Sequence, residues 1–183
     1  MIKQMVDLLE ADCSPEALLE MINAGEVEYR AWREFSFIEL APEEKWQRFL
    51  LKEFSAELVR EKAPELQRLW RQSRGKRWLA PHVVETVKEL SARGYILATI
   101  SHSTPEYLHN TELEKLFCAQ VYAPSYGKRK PHPSIFLAAA AQCHIPPAEC
   151  AYIGDRPSRD LIGSREAGFG KVILVKNEYT TPE

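Results

Sequence analysis

One short segment near the carboxyl terminus constrains the fold more than any other part of the chain. An apolar run from Cys150 to Ile153 leads into Gly154 and Asp155, and Asp160 follows five residues later at the start of a helical pattern. This order predicts a strand, a tight turn and a helix, with a carboxylate at the carboxyl end of the strand. Ligands of open α/β sheets bind at that end of the strands. The segment therefore predicts the position of a functional site as well as a fold.

The sequence after residue 80 alternates between helical and strand patterns throughout. Continuous apolar strands between helices favour a parallel sheet that is covered on both faces. The strand at Tyr95–Ile100 is expected to be buried. The expected helices lie at Pro81–Arg93, within Thr104–Phe117, at Pro133–Cys143 and at Ser158–Ala167, and the other strands at Ala119–Ala123, Cys150–Ile153 and Lys171–Val175.

Before residue 80 every segment has a helical pattern. Ser14 and Pro15 are typical of a helix start, and Gly25 predicts the end of that helix. A second amphipathic segment covers Glu28–Phe37, a third opens at Pro42, and Pro64 opens or kinks a fourth. The tryptophans of these segments, Trp32, Trp46 and Trp70, are interpreted as packing residues. The basic run Arg71, Arg74, Lys76, Arg77 is interpreted as a solvated linker, with a phosphate-attracting rim as the alternative. We expect a helical region at 1–79 and an α/β core at 80–183.

The composition argues against several classes of function, namely nucleic-acid binding, membrane association and zinc binding. The 183 residues are 45% hydrophobic and 27% charged, with a net charge of −2, which gives no indication of a nucleic-acid or membrane surface. No signal peptide or long apolar span is found, so a cytoplasmic location is expected. The four cysteines form no CxxC pair, which argues against zinc, and they are expected to be reduced thiols.

Three strand ends carry polar groups in a fixed order. Ser101 follows the first apolar strand, Lys130 begins a Lys-Pro-x-Pro element before a helix, and Asp155 and Asp160 follow the third strand. This ordered set resembles the haloacid dehalogenase superfamily of phosphotransferases and hydrolases. Ser101 matches the family's Ser/Thr after its second strand. Gly154 and Asp155 with Asp160 match its Gly-Asp-x4-Asp motif.

The resemblance implies a Rossmann-like, three-layer parallel sheet with an N-terminal helical cap. It also implies a Mg2+-dependent phosphatase acting on a small phosphorylated metabolite, with haloacid dehalogenation as the lesser option. Ser101 would donate to a phosphoryl oxygen, and Lys130 would neutralise phosphate charge. Asp155 would offer an oxygen ligand to Mg2+, and Asp160 would steer Lys130 or a metal-bound water.

Each of these residues also has a simpler interpretation. Ser101 could cap a loop, Lys130 could be solvated, and Asp155 could be the N-cap of the following helix. The remaining polar residues near these motifs, Arg156, Arg159, His102, His132 and His144, are interpreted as solvent-facing or loop residues, and a helix N-terminal position explains His132.

The family's nucleophile is not found in this sequence. The resemblance implies a central first strand that ends in Asp-x-Asp, but Asp7 and Asp12 are five residues apart. Residues 1–6 are too short and too polar for a buried central strand, and Met5–Glu10 has the pattern of a helix start. No catalytic nucleophile is therefore identified, and the first central strand is expected to be missing from the sheet.

A missing central strand leaves two strand edges without a partner, and each buried unpaired backbone group costs about 1–3 kcal/mol. The two half-sheets could close on each other, another chain could fill the gap and form a homodimer, or an upstream segment could carry the strand. The last explanation is favoured. Two functions remain open: a phosphatase that is inactive as this chain, and a non-catalytic protein that binds a phosphorylated ligand or a partner.

Overall fold

The computed structural model describes residues 1–72, 81–105, 108–109 and 111–176. The chain forms two compact units. The first consists of Met1–Ser36 and Leu40–Trp78, and the second of Phe37–Glu39 and Leu79–Glu183. The sequence pattern gives no sign that residues 37–39 join the second unit.

The first unit is helical. Its elements are α1 (Ile2–Leu8), α2 (Pro15–Ser36), α3 (Pro42–Lys45), which continues as a π-helical turn (Trp46–Leu50), and α4 (Ala56–Gln72). Apolar residues at helical spacing close its core: Leu18, Ile22, Trp46, Leu50 and Leu66 are all buried. The Trp46 indole donates from Nε1 to Gln67 Oε1 at 3.0 Å and meets the Trp70 ring edge-on at 6.2 Å. Asp7 lies in α1, as the helical pattern near the N-terminus predicted.

The prediction that Gly25 ends a helix is wrong, because α2 runs through it without a break to Ser36. Gly25 is buried, and a Cβ at this position would lie 2.3 Å from the carbonyl oxygen of Phe49. The glycine therefore permits close packing of α2 against the turn at Trp46–Leu50 rather than a change of direction. A lone glycine has the same sequence signal in both situations.

Of the two alternatives for Pro64, to open or to kink a helix, the first is wrong, since α4 begins at Ala56 and contains Pro64 in its interior. In the basic run only Arg71, in the last turn of α4, is described. Arg74, Lys76 and Arg77 lie outside the described residues.

The second unit alternates helices and strands, as predicted. It contains α5 (Val83–Ala92), β1 (Leu97–Ser101), β2 (Phe117–Tyr122), α6 (Ala123–Tyr126), α7 (Pro133–Gln142), β3 (Ala151–Gly154), α8 (Ile162–Glu166) after a π-helical turn (Pro157–Leu161), and β4 (Lys171–Leu174). Two 3-10 turns, Glu114–Leu116 and Pro147–Glu149, precede β2 and β3. Part of the helix expected within Thr104–Phe117 lies outside the described residues.

The strands form two separate parallel pairs. β1 pairs with β2 so that Ser101 lies opposite Tyr122, and β3 pairs with β4 so that Gly154 lies opposite Leu174. Within the described ranges no strand joins β1 to β3, so β1 and β3 each have one edge without a strand partner. An α/β fold with parallel strands, and with no first central strand among the described residues, is therefore confirmed.

The expectation that Tyr95–Ile100 forms a buried strand is wrong. The strand begins at Leu97, no residue of β1 is fully buried, and Tyr95 before it is 63% exposed. On β3, Ile153 is 56% exposed. The apolar composition fits a central strand, but the neighbour that would cover these residues is not among the described ones.

The core of the second unit lies under α7. Ile135, Phe136 and Ala139 of this helix are buried together with Val121, Ala123 and Ala167. Ile100 of β1 and Tyr152 of β3 pack against the same cluster. One helix thus holds both strand pairs on its inner side, which keeps their carboxyl ends near the start of α7.

The expectation of four reduced thiols is wrong for two of them. Cys118 and Cys143 form a disulfide with a Cα–Cα distance of 5.8 Å, within the range that a disulfide requires. The fold makes this pairing because the beginning of β2 and the end of α7 lie side by side. Cys13 and Cys150 are free. In the part of the chain that the structure describes, no helix is long and apolar enough to cross a membrane.

Candidate functional site

The predicted site residues lie at the carboxyl ends of the strands and at the start of α7. Ser101 is the last residue of β1, Asp155 directly follows β3, and Lys130 lies three residues before α7. The Ser101 hydroxyl accepts a hydrogen bond from the Ser103 N–H at 3.0 Å, so it shapes the turn after β1. This matches the simpler loop-capping interpretation, while the hydroxyl hydrogen can still be donated to a ligand.

Asp160 is the centre of a hydrogen-bond network. Its Oδ1 accepts from Lys130 Nζ at 2.6 Å and from the Tyr152 hydroxyl at 3.1 Å. Its Oδ2 accepts from the backbone N–H groups of Asp155 at 3.0 Å and Arg156 at 2.9 Å. The side chain is only 2% exposed. One buried carboxylate therefore holds the turn after β3 and the ammonium of Lys130 together.

The electrostatics of this network favour an ionised Asp160. Burial acts to raise the pKa of the Asp160 carboxyl, but the charge of Lys130 and the hydrogen bonds from Lys130, Arg156 and Tyr152 outweigh it and hold the pKa below its usual value. Burial, followed by the negative charge of Asp160, raises the pKa of the Tyr152 phenol far above its usual range. Tyr152 therefore remains a neutral donor at any ordinary pH.

Two glycines allow these groups to approach each other. A Cβ on Gly154 would lie 2.4 Å from Asp160 Oδ2, and a Cβ on Gly163 would lie 2.3 Å from the carbonyl oxygen of Pro131. The Lys130–Pro131 peptide bond is cis. The glycine of the Gly-Asp motif is thus explained by close packing against the carboxylate five residues beyond it.

The alternative role of Asp155 as a helix N-cap is wrong. The turn after β3 begins at Pro157, and the residue in the N-cap position is Arg156. Asp155 is half-buried at the end of β3. Arg156 and Arg159, which were interpreted as solvent-facing, are half-buried too.

His102 lies in the loop after β1, as interpreted, and it also contacts the backbone of Lys130. Its Nε2 accepts a hydrogen bond from the backbone N–H of Lys130 at 2.8 Å, and its Nδ1 lies 3.3 Å from Nη2 of Arg129. Arg129 is 1% exposed and approaches Glu39, which is 7% exposed, at 3.7 Å. No sequence pattern predicts these contacts, because a basic run usually indicates a solvated surface.

Two further histidines near the motifs, His132 and His144, have the positions that were predicted. His132 is the N-cap of α7, and its Nδ1 accepts from the Ser134 N–H at 3.2 Å. His144 is exposed in the loop after α7.

The described residues do not by themselves form a magnesium site. They include no group of three or more His, Cys, Asp or Glu side chains that could hold a metal ion. Asp155 lies at a strand end, where its carboxylate could be an oxygen ligand of a hard cation. The carboxylate of Asp160 is instead hydrogen-bonded to Lys130. Mg2+ would need further oxygen donors beside Asp155.

The comparison with known families decides which fold family this is. Residues 14–168 match the family model described as "Hydrolase: haloacid dehalogenase-like hydrolase". The chain belongs to the haloacid dehalogenase-like hydrolases. The resemblance drawn from the strand-end motifs is thereby confirmed.

Several curated relatives of the chain are phosphatases. Over 107 residues it is 29% identical to the glyceraldehyde 3-phosphate phosphatase of Methanopyrus kandleri, which covers 56% of this chain and 46% of that protein. Over 116 residues it is 30% identical to the phosphoserine phosphatase of Thermus thermophilus, covering 61% and 47%. The chain thus spans about half the length of the curated relatives it matches.

Solved structures of this family share the fold at low sequence identity. A 2-haloacid dehalogenase from Pseudomonas syringae has a TM-score of 0.65 and 19% identity, over 94% of this chain and 73% of that one. A putative β-phosphoglucomutase from Thermotoga maritima has a TM-score of 0.54 and 19% identity, over 92% and 82%. At this identity the likeness concerns the fold alone.

Proposed function

We propose that this chain forms part of a Mg2+-dependent phosphatase for a small phosphorylated metabolite. The observation that carries the proposal is the ammonium of Lys130, held by Asp160 at 2.6 Å and by the Tyr152 hydroxyl at 2.8 Å. A lysine fixed at the carboxyl end of a parallel sheet is suited to an anion that binds there. The phosphatase relatives support a phosphate ester as that anion.

Each residue has a distinct part in this proposal. Lys130 neutralises charge on the bound phosphoryl group, and Ser101 donates its hydroxyl hydrogen to a phosphoryl oxygen. Asp160 faces the ammonium with an ionised carboxylate and holds it in position through their 2.6 Å hydrogen bond. Asp155 would supply one oxygen to Mg2+, which would need further oxygen ligands beside it.

We further propose that these 183 residues alone do not turn over substrate. Covalent phosphoryl transfer in this family needs an attacking carboxylate. In this proposal none of the four aspartates has that role. Asp155 follows β3 and is the proposed Mg2+ ligand, Asp160 is hydrogen-bonded to Lys130, and Asp7 and Asp12 belong to the helical first unit. A strand between β1 and β3 that ends in Asp-x-Asp would complete both the sheet and the site. In this proposal the first unit serves as the specificity cap, with 1–79 as cap-like region and 80–183 as incomplete core.

A second function is a non-catalytic protein that binds a phosphorylated ligand or a protein partner. The open edges of the two strand pairs favour this second function. One of these edges belongs to β3, which carries the 56% exposed Ile153. Exposed edges pair readily with strands of another chain. A homodimer formed through these edges is the corresponding oligomeric state.

Hydrolysis of an aryl phosphate and binding of inorganic phosphate together test these functions. The 183-residue chain is expected to bind phosphate and to show no turnover with Mg2+ or with a chelator. Lys130→Met should abolish phosphate binding, whereas Lys115→Met, at an exposed lysine, should not change it. A chain extended by a natural upstream segment that ends in Asp-x-Asp should hydrolyse the ester. Failure of that extended chain would favour the binding protein, and turnover by the 183 residues would refute the inactivity.

A further inference from the structure

A three-residue segment belongs to the second unit although the chain on both sides belongs to the first. The Phe37 carbonyl accepts from the Arg129 N–H at 3.0 Å, and the Glu39 N–H donates to the Gly127 carbonyl at 3.2 Å. Ile38 and Lys128 form an antiparallel bridge between them. Residues 37–39 therefore pair like a short strand with the loop that leads to Lys130.

Two further features show how firmly this segment is placed. Phe37 has a φ of 53°, a left-handed conformation that costs energy for a side chain with a Cβ and persists only when surrounding contacts fix it. The carboxylate of Glu39 lies 3.7 Å from Nε of Arg129, and both side chains are buried. A buried charge is costly unless an opposite charge accompanies it, so this pair holds the segment and the loop together.

Arg129 also lies next to His102, which contacts the backbone of Lys130. Arg129 Nη2 lies 3.3 Å from Nδ1 of His102, and His102 Nε2 accepts the Lys130 N–H at 2.8 Å. Because a backbone N–H can only donate, Nε2 must carry the lone pair and Nδ1 the proton, so the contact of Nδ1 with Arg129 Nη2 joins two donors and adds no hydrogen bond. His102 directly follows Ser101, so the hydrogen bond at Nε2 joins the end of β1 to the backbone of the lysine.

We propose that Glu39, Arg129 and His102 are positioning residues of the phosphate site. Lys130 is anchored at both ends: Asp160 and Tyr152 hold its ammonium, and His102 holds its backbone N–H. Glu39 and Arg129 fix the loop that carries it. A flexible lysine loses several rotatable bonds of freedom when it binds an anion, and anchoring both ends in advance reduces that loss. The inference rests on the proposed phosphate site.

The test replaces His102 in the 183-residue chain with leucine, which removes the acceptor, and with glutamine, whose Oε1 can accept in the place of Nε2. His144→Leu, at an exposed histidine, is the matched control. Inorganic phosphate is titrated while proton–nitrogen NMR follows the backbone amide and the ammonium of Lys130. Glu39→Gln is measured in the same way, together with its melting temperature, because loss of a buried partner also affects folding.

His102→Leu is expected to move the Lys130 amide proton upfield, to broaden its ammonium signal and to weaken phosphate binding about fivefold, the net value of one hydrogen bond. His102→Gln should restore affinity to within about twofold, and Glu39→Gln should weaken binding. A lower melting temperature in His102→Leu with unchanged affinity and unchanged Lys130 signals would overturn the proposal. If the unmodified chain binds no phosphate, the proposed function fails, while the Lys130 signals still support or refute the positioning.

Discussion

Replacement of Asp160 by asparagine tests the reasoning about the site most directly. The change keeps the size of the side chain but removes the charge that faces Lys130 Nζ at 2.6 Å. It also places an NH2 group where the carboxylate accepts four hydrogen bonds, so at least one donor meets another donor.

The magnitude follows from the burial of the pair. Removing one partner of a buried ion pair costs about 3–5 kcal/mol. The Lys130 side chain is 14% exposed and can turn partly to water, so we expect a loss of about 3 kcal/mol, at the lower end of that range. Urea unfolding followed by circular dichroism measures it. Asp7→Asn, at an exposed carboxylate of α1, is the control, with an expected change within about 0.5 kcal/mol.

The dependence on pH gives a second readout. The pKa of Asp160 is lower in the folded chain than in the unfolded one, so at acidic pH the unfolded state binds more protons and stability rises with pH. The contribution of Asp160 is complete above its unfolded pKa of about 3.9 and is lost as the pH falls through the folded value. Asp160→Asn should flatten this part of the stability profile. A loss below about 1 kcal/mol with an unchanged acid profile would refute the network as described.

Three other substitutions or treatments test the packing and the edges. Gly25→Ala should destabilise the chain by about 2 kcal/mol, because its Cβ would lie 2.3 Å from the Phe49 carbonyl oxygen; thermal melting checks this, and a stabilised variant would contradict it. Reduction of Cys118–Cys143, 25 residues apart, should cost about 3 kcal/mol; urea unfolding with and without reductant measures it, and equal midpoints would argue against the bond. Ile153→Lys should reduce self-association in sedimentation, because a charge beside an open edge discourages strand pairing; unchanged association would exclude that edge as the interface.

The sequence predicted the local elements well where periodicity and turn residues agreed. The alternation of strands and helices after residue 80 and the order of Ser101, Lys130 and Asp155 were enough to indicate the fold family. Gly25 shows the limit of such predictions. A glycine that ends a helix and one that lets a neighbouring backbone pack closely cannot be distinguished in the sequence. The burial of β1 was mispredicted for a related reason, since apolar composition records a preference for burial and not the presence of a neighbour.

The sequence by itself determined the α/β class, the three motif positions and the absence of an Asp-x-Asp pair, because these depend on residue type and short spacing. Only the tertiary structure decided that Asp160 accepts from Lys130, thirty residues earlier in the chain, and that His102 accepts from its backbone. It alone showed that residues 37–39 and Arg129 belong to the same cluster. Contacts between distant segments depend on how the elements pack, and no short-range pattern in the sequence encodes that packing.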